Sequence, residues 1–458
     1  MAMQVTLVLA HPAASDGESL RLDSNSAGIS ITDWVPKIGN DGDAYVDEVL
    51  TLLIKGSGHD DLASKVQALD NMIRQVSYFR SSAQQKGIFL RCQMTNETGA
   101  RQALVLAARR ENATALYTAP ASPGNVVEAY KLVLRRMPWW ERADDVVVAA
   151  QTLAHCVGGT LSFSSIPGDV PARLMPLSFE GHAGGTTAPF YEFWAGFRTA
   201  RYGTLANFVP VWECEDGTPD TDASSVAEAT ASGGDMITVT FATTETMASR
   251  LTIKASQVTA NTADQCGRFL VLLRAKHGGT GAVYVRMATG WVATNVYDVG
   301  VRVAVSDANW LFYALGEVTF PPSQVRSLGA LAMAEAGFRI DASGPAAAEL
   351  YLDCLVLVPV DEGFCHISGA RVQEDTGTIE KTAVGKEADE AIYTYCYYGT
   401  TLNQVTDPSG TSPAGFSLPI GSSTLVVVGR GSSASTLADH CDVAIAYTPR
   451  WAMLRGAE

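Results

Sequence analysis

The chain has 458 residues, of which 47% are hydrophobic and 18% charged, and 33 Lys and Arg stand against 48 Asp and Glu for a formal charge of -15. That is too apolar for a disordered chain and too long for one core, so about three domains are expected. The acidic balance disfavours a basic nucleic-acid surface; no run reaches the roughly 18 apolar residues of a membrane span, and Met1-Ala2-Met3-Gln4-Val5 lacks the character of a secretion signal, so cytoplasmic synthesis without membrane insertion is expected.

In chain order, Leu50, Leu52 and Ile54 share one face of a period-2 strand that Gly56-Ser57-Gly58 ends. Leu62, Val66, Leu69, Ile73 and Val76 then form one apolar stripe on a helix that opens with Asp60 and Asp61, and the stripe is expected to pack on the adjoining sheet. Ile88, Leu90, Cys92 and Met94 alternate along the next strand, and Asn96-Glu97-Thr98-Gly99 turns it into a partner over Gln102 to Ala108. The order strand, helix, strand, strand is that of a compact α+β module.

After a linker over Ala119 to Gly124 the sequence turns to short strands separated by Gly, Asn, Asp and Ser, among them Arg173 to Phe179, Tyr191 to Arg198, Arg268 to Ala275, Leu311 to Phe320 and Glu349 to Val358. Asp216-Gly217-Thr218-Pro219-Asp220 breaks the pattern, and a last β segment begins near Asp361. The fold class is mainly β with one α+β module. Four units are expected: 1–120, an α+β domain; 121–207, a β-sandwich; 208–360, a second sandwich of jelly-roll type; and 361–458, a C-terminal β segment. The eight cysteines are spread without a CxxC, as reduced and buried thiols are.

No HExxH, GxSxG or Walker loop is present, so a non-enzymatic role is expected. Gly429-Arg430-Gly431-Ser432-Ser433 reads as a turn, because Cys441 opens another strand too soon for a phosphate-binding helix. His155-Cys156, Cys365-His366 and His440-Cys441 are poor zinc sites, since neighbouring strand residues face opposite ways. The loop holding Glu213, Glu215, Asp216, Asp220 and Asp222 has the hard oxygen donors that suit calcium, with a solvated acidic loop as the alternative. Trp291, Trp310, Tyr284 and Tyr313 fall in one sandwich, either as core or as a platform for sugar rings.

The stretch from Val46 to Ser57 with its helix and hairpin resembles the N-terminal domain of minor tail proteins of long-tailed, siphovirus-like phages, including distal-tail-like proteins. Leu418 to Val428 and Val443 to Trp451 resemble the C-terminal end of such proteins. Leu350 to Pro359 is similar to the last strand of a carbohydrate-binding jelly roll, in which an acidic residue can help hold structural calcium; here that residue is Asp353, with Glu213 or Glu215. The resemblance implies a virion-tail protein, assembled in the host cytoplasm, that forms a homo-oligomeric ring, a hexamer in distal-tail proteins, and displays its sandwiches outward. Its implied partners are itself, the neighbouring tail-tube and tail-tip proteins, and host-surface glycans met by Trp291 and Trp310. A carbohydrate-binding adhesion protein is the alternative reading, with a glycoside hydrolase on a β scaffold as the third.

Overall fold

The computed structural model describes residues 3–10, 18–24, 27–40, 43–81, 87–94, 99–111, 126–143, 146–154, 158–182, 188–291, 296–320, 335–372, 374–375, 378–386, 392–398, 401–404, 417–431 and 440–454. The chain is mainly β; the described residues form antiparallel sheets of fifteen, four, six and six strands and one long helix, His59–Ser81.

The N-terminal module is that helix in the curve of a sheet. Leu62, Leu69, Met72 and Val76 are buried and Val66 and Ile73 half-buried, in one cluster with Leu50, Leu52, Leu90 and Cys92, as the matched periodicities require. Strand Val46–Gly56 does not pair with Gly87–Met94, however. It lies between Ile29–Asp33 and Val126–Arg136, and Gly87–Met94 lies between Met3–Ala10 and Arg101–Glu111. The boundary at 120 is therefore corrected. Val126–Arg136 pairs along all of Val46–Gly56 because Tyr130, Leu132 and Leu134 alternate toward the same core, and the module runs on through Trp140–Arg142. The linker over 119–124 lies outside the described residues.

The segments 121–207 and 361–458 are likewise not separate units. Strand His440–Trp451 pairs with Val146–Ala154 on one edge and with Val170–Gly181 on the other, while Gly421–Gly431 lies between Gly159–Ile166 and Phe190–Thr199. These strands close one sandwich whose core includes Phe163, Phe179, Phe193, Phe197, Val427 and Ile445, with the Phe179 and Phe193 rings stacked 4.3 Å apart.

Both six-stranded sheets are built from strands between Val211 and Pro359, and they face each other across a core that includes Trp212, Phe269, Phe338 and Leu352. This jelly roll does not stand clear of the rest. The outer face of the four-stranded sheet contributes Trp194, Val426 and Val428 to the jelly-roll cluster, so that sheet is buried on both sides. At Gly196 an added Cβ would come 1.9 Å from the Pro359 carbonyl oxygen, so only glycine permits this approach. Arg198, 2% exposed, crosses the same junction, donating to the Cys266 carbonyl at 2.7 Å and lying over the Phe208 ring.

Buried ions tie the units at their ends. Glu141 accepts from Arg173 Nε and Arg450 Nε, each at 2.8 Å, and thereby joins the N-terminal module to two neighbouring strands of one sandwich sheet, drawn from the two chain segments that build it. Burial pushes the Glu141 carboxyl up, but the two guanidiniums outweigh it and hold it below the ordinary glutamate range. Glu141→Gln should destabilise the protein by about 3–5 kcal/mol in denaturant unfolding, because two buried cations lose their counter-charge. Because the native carboxyl titrates below the unfolded one, the wild type should hold this contribution at neutral pH and lose it as the pH falls below the glutamate range.

Candidate functional site

Strand Ala348–Pro359 runs beside Val211–Glu213 and Gly267–Gly279, and its register shifts between Arg274, opposite Cys354, and Ala275, opposite Leu352. Asp353 is the extra residue of that bulge, and bulges re-aim side chains. It is fully buried, and both its oxygens are engaged: Ser232 N–H donates to Oδ1 at 2.8 Å, and Arg274 Nη1 donates to Oδ2. Glu213, opposite Cys354, accepts from Ser232 Oγ at 2.6 Å. One oxygen each of Glu213 and Asp353 and the Cys354 sulfur lie within 4.8 Å of one another.

Glu215 follows on the turn Cys214–Asp216, and its Oε2 is buried with no hydrogen-bond partner among the described residues. Gly233 makes room for it, since a Cβ there would lie 2.0 Å from Glu215 Oε1. Burial, with the charges of Glu213, Asp353 and Asp216 added, pushes the Glu215 carboxyl up to about 7; burial raises Glu213 as well. The fold thus gathers Glu213, Glu215 and Asp353 around Ser232 and Gly233. Asp220 and Asp222 do not join them: Asp222 pairs with Arg250, and the Asp220 carboxyl, which accepts from the Thr221 backbone N–H at 2.9 Å, is held low.

For a hard cation the fit is uneven. Glu213 and Glu215 offer carboxylate oxygens that a divalent ion would relieve of mutual repulsion, whereas Arg274 already supplies the counter-charge of Asp353. Calcium would therefore sit on the two glutamates, with Asp353 supporting Ser232.

Arg274 also reaches the second group of singled-out residues. Its guanidinium lies 5.1 Å from the Trp310 ring centre and Lys276 Nζ lies 4.4 Å from it, while the indole N–H donates to Thr230 Oγ1 at 2.9 Å. Lys276 is also 5.2 Å from the Tyr351 ring centre. Trp291 does not join this group. It ends strand Val283–Trp291 of the other sheet, and its side chain lies outside the described residues. A single platform of four aromatics is thereby corrected, since Tyr284 is on that other sheet and Tyr313 is buried in the core. Reading the sequence alone missed Arg274, Lys276, Ser232 and Thr230. The one available signal was Arg274 and Lys276 interrupting the apolar run of their strand.

Of the His-Cys pairs, Cys365 and His366 do not converge on one site. Cys365 is buried, while His366 stacks on Trp194 and contacts Glu192 Oε1 at 2.6 Å; the side chains of the other two histidines and of Cys156 lie outside the described residues. Gly429 to Gly431 continue strand Gly421–Gly431. Among the described residues no helix is long and apolar enough to cross a membrane.

No protein-family model and no curated protein matches the chain. Among solved structures it is similar to two chains from the phage p2 baseplate in its activated conformation, one with Sr and one with Ca. Each match has 9% identity and covers 77% of this chain and 98% of the other, with TM-scores of 0.23 and 0.22, an overlap too slight to bear on what this chain does.

The raised Glu215 carboxyl gives a pH signature. Its native pKa of about 7 exceeds the ordinary 4.5, so the folded state holds the proton more tightly, and chelated protein should lose melting temperature as pH rises through that window. Glu215→Gln should flatten the decline. Calcium added at neutral pH should raise the melting temperature of the wild type and leave Glu215→Gln unmoved; no shift in either protein would count against a cation on the two glutamates.

Proposed function

We propose that this chain is a structural component of a phage tail, in the distal tail or tail-tip ring, and that it acts by assembly and not by catalysis. The reading rests on the sequence likeness at its two ends, and those ends meet in the fold: Arg450 and Trp451 pair with Glu141 and Trp140, the strand that closes the N-terminal module.

The observation that favours self-assembly is an apolar surface on that module. Val35 is 78% exposed and Ile38 54%, and Tyr45 and Val49 are exposed as well. The segment Trp34 to Lys37 is tied to the strand carrying Val49 through Glu48, which accepts from Trp34 Nε1 at 2.9 Å and from the Lys37 backbone N–H at 3.0 Å. Val35, on that segment, and Ile38, next to it, are the exposed hydrophobes offered to a partner surface, while Val49, next to the inward-facing Glu48, points to the opposite face of its strand. A second copy is the simplest occupant, in a closed ring that the likeness makes a hexamer, with tail-tube and tail-tip proteins as neighbours.

Native mass spectrometry should give a closed oligomer that Val35→Asp with Ile38→Asp reduces to monomer at unchanged melting temperature. A monomer at high concentration that neither co-purifies with a tail protein nor occurs in virions would end the reading. Deleting the jelly roll is the wrong test, because it would expose Trp194, Val426 and Val428.

Host-surface glycans are the second class of partner, on the adhesion reading, favoured by Trp310 and Tyr351 standing either side of Lys276. Aromatic faces and a nearby cation suit sugar rings and their hydroxyls. Glycan-array binding lost in Trp310→Ala would support it, and an unchanged array profile in that variant would remove it.

A further inference from the structure

One jelly-roll sheet carries a row of aromatic and polar side chains on the face turned away from the core. Ser224, Thr238, Tyr351 and Lys276 are register partners across four neighbouring strands, Ala223–Ala227, Asp235–Thr240, Ala348–Pro359 and Gly267–Gly279. Their chain neighbours Ile237, Leu350, Leu352 and Ala275 are buried in the core, so the row faces outward. Trp310 extends it past Lys276: it stands one residue before Leu311, the partner of Ala275, and Lys276 Nζ lies 4.4 Å from its ring centre. Trp310, Tyr351 and Thr238 are half-buried and Ser224 is exposed, so each keeps surface to offer.

The two rings are held in place. The Tyr351 hydroxyl donates to the Glu349 carboxylate on the same strand. Gly278, opposite Glu349, leaves the space that the ring occupies, since an added Cβ there would come 2.7 Å from Tyr351 Cε2. The Trp310 indole is fixed by its bond to Thr230 Oγ1. Rings oriented before a ligand arrives lose little freedom on binding.

Charge decides what fits this row. Arg274 is countered by Asp353, and Lys276 by Glu228 at 3.7 Å, whereas Glu349 forms no ion pair among the described residues. Both cations being matched, an anion finds no free counter-charge and meets the Glu349 carboxylate. Aromatic faces, hydroxyls and a hydrogen-bond acceptor remain, and these suit a neutral ligand with C–H faces and many hydroxyls. Neighbouring strands stand about 4.8 Å apart, close to the advance of one pyranose in an extended chain, so a sugar chain lying across the strands presents a new ring at each.

We propose that this row binds a neutral linear polysaccharide laid across the strands, with pyranose rings on Trp310 and Tyr351, hydroxyls on Thr238 and Ser224, and Glu349 excluding acidic sugars. The proposal rests on the adhesion reading of Trp310 and adds the charge class, length and path of the glycan.

An array of neutral gluco-, galacto- and manno-oligosaccharides, from disaccharide to hexasaccharide, beside oligogalacturonates and sialylated glycans tests it on the full chain, with titration calorimetry on the sugars bound. Neutral chains should bind, indifferently to salt, with an affinity that rises up to about five units, one for each position in the row. Tyr351→Ala should weaken binding at least tenfold. Thr238→Val, which keeps the side-chain shape, should weaken it several-fold at unchanged melting temperature, and decides the matter alone if Tyr351→Ala unfolds. Binding confined to acidic glycans and lost in Trp310→Ala would overturn the neutral assignment and leave the adhesion reading standing. Neutral binding indifferent to both Tyr351→Ala and Thr238→Val, or already complete at the disaccharide, would overturn the path across the strands. No glycan bound at all would remove the proposal and the adhesion reading together.

Discussion

The sheet that is buried on both faces holds the rest of the structure together. Leu425 and Val427 point into the sandwich core, and Val426 and Val428 point into the jelly-roll core, so one short apolar run serves two cores at once. Such a strand pays no polarity penalty for slipping by one residue, which weakens the usual control of register. Register must then come from contacts that allow one arrangement only. Gly196 against the Pro359 carbonyl is one, and Arg198 reaching the Cys266 carbonyl is another. Both lie on Phe190–Thr199, the strand next to that run, so the jelly roll is seated on the sandwich and not hung from it by a linker.

Buried charge is used at the same junctions. Glu141 bridges Arg173 and Arg450, and Glu48 is fully buried against Arg136, whose guanidinium also donates to three backbone carbonyls and lies over Trp140. An ion pair replaced by apolar side chains often costs nothing, so these pairs are better explained by geometry than by stability. Each demands a specific partner from a distant part of the chain. In the jelly roll Arg274 has this role twice, countering Asp353 on one side and facing Trp310 on the other, and the acidic cluster and the aromatic face therefore share one cation.

A β-sandwich by itself says little about function, because the same fold serves many roles. What distinguishes this one is its surface: exposed apolar side chains on the N-terminal module and raised carboxyls at one jelly-roll edge.

Local pattern by itself determined the long helix and its buried stripe, most of the middle strands, and the mainly β class, because periods of 3.6 and 2 are written in consecutive residues. It also determined which residues could carry chemistry, since Glu213, Glu215, Asp353 and Trp310 differ from their neighbours in kind. Partners were not written there. Val126–Arg136 belongs to the first module and His440–Trp451 to a sandwich begun almost 300 residues earlier, and pairing across such distances depends on which apolar faces find each other. Short strands such as Met3–Ala10 and Val146–Ala154 went unread because they take their definition from neighbours distant in sequence. Only the tertiary structure decided that Trp291 ends a strand of one jelly-roll sheet while Trp310 precedes a strand of the other, that Asp353 is turned by a bulge onto Arg274, and that Arg286 and Arg339 share the buried Asp341 carboxylate. Sequence carries the side chains; the sheets decide which of them meet.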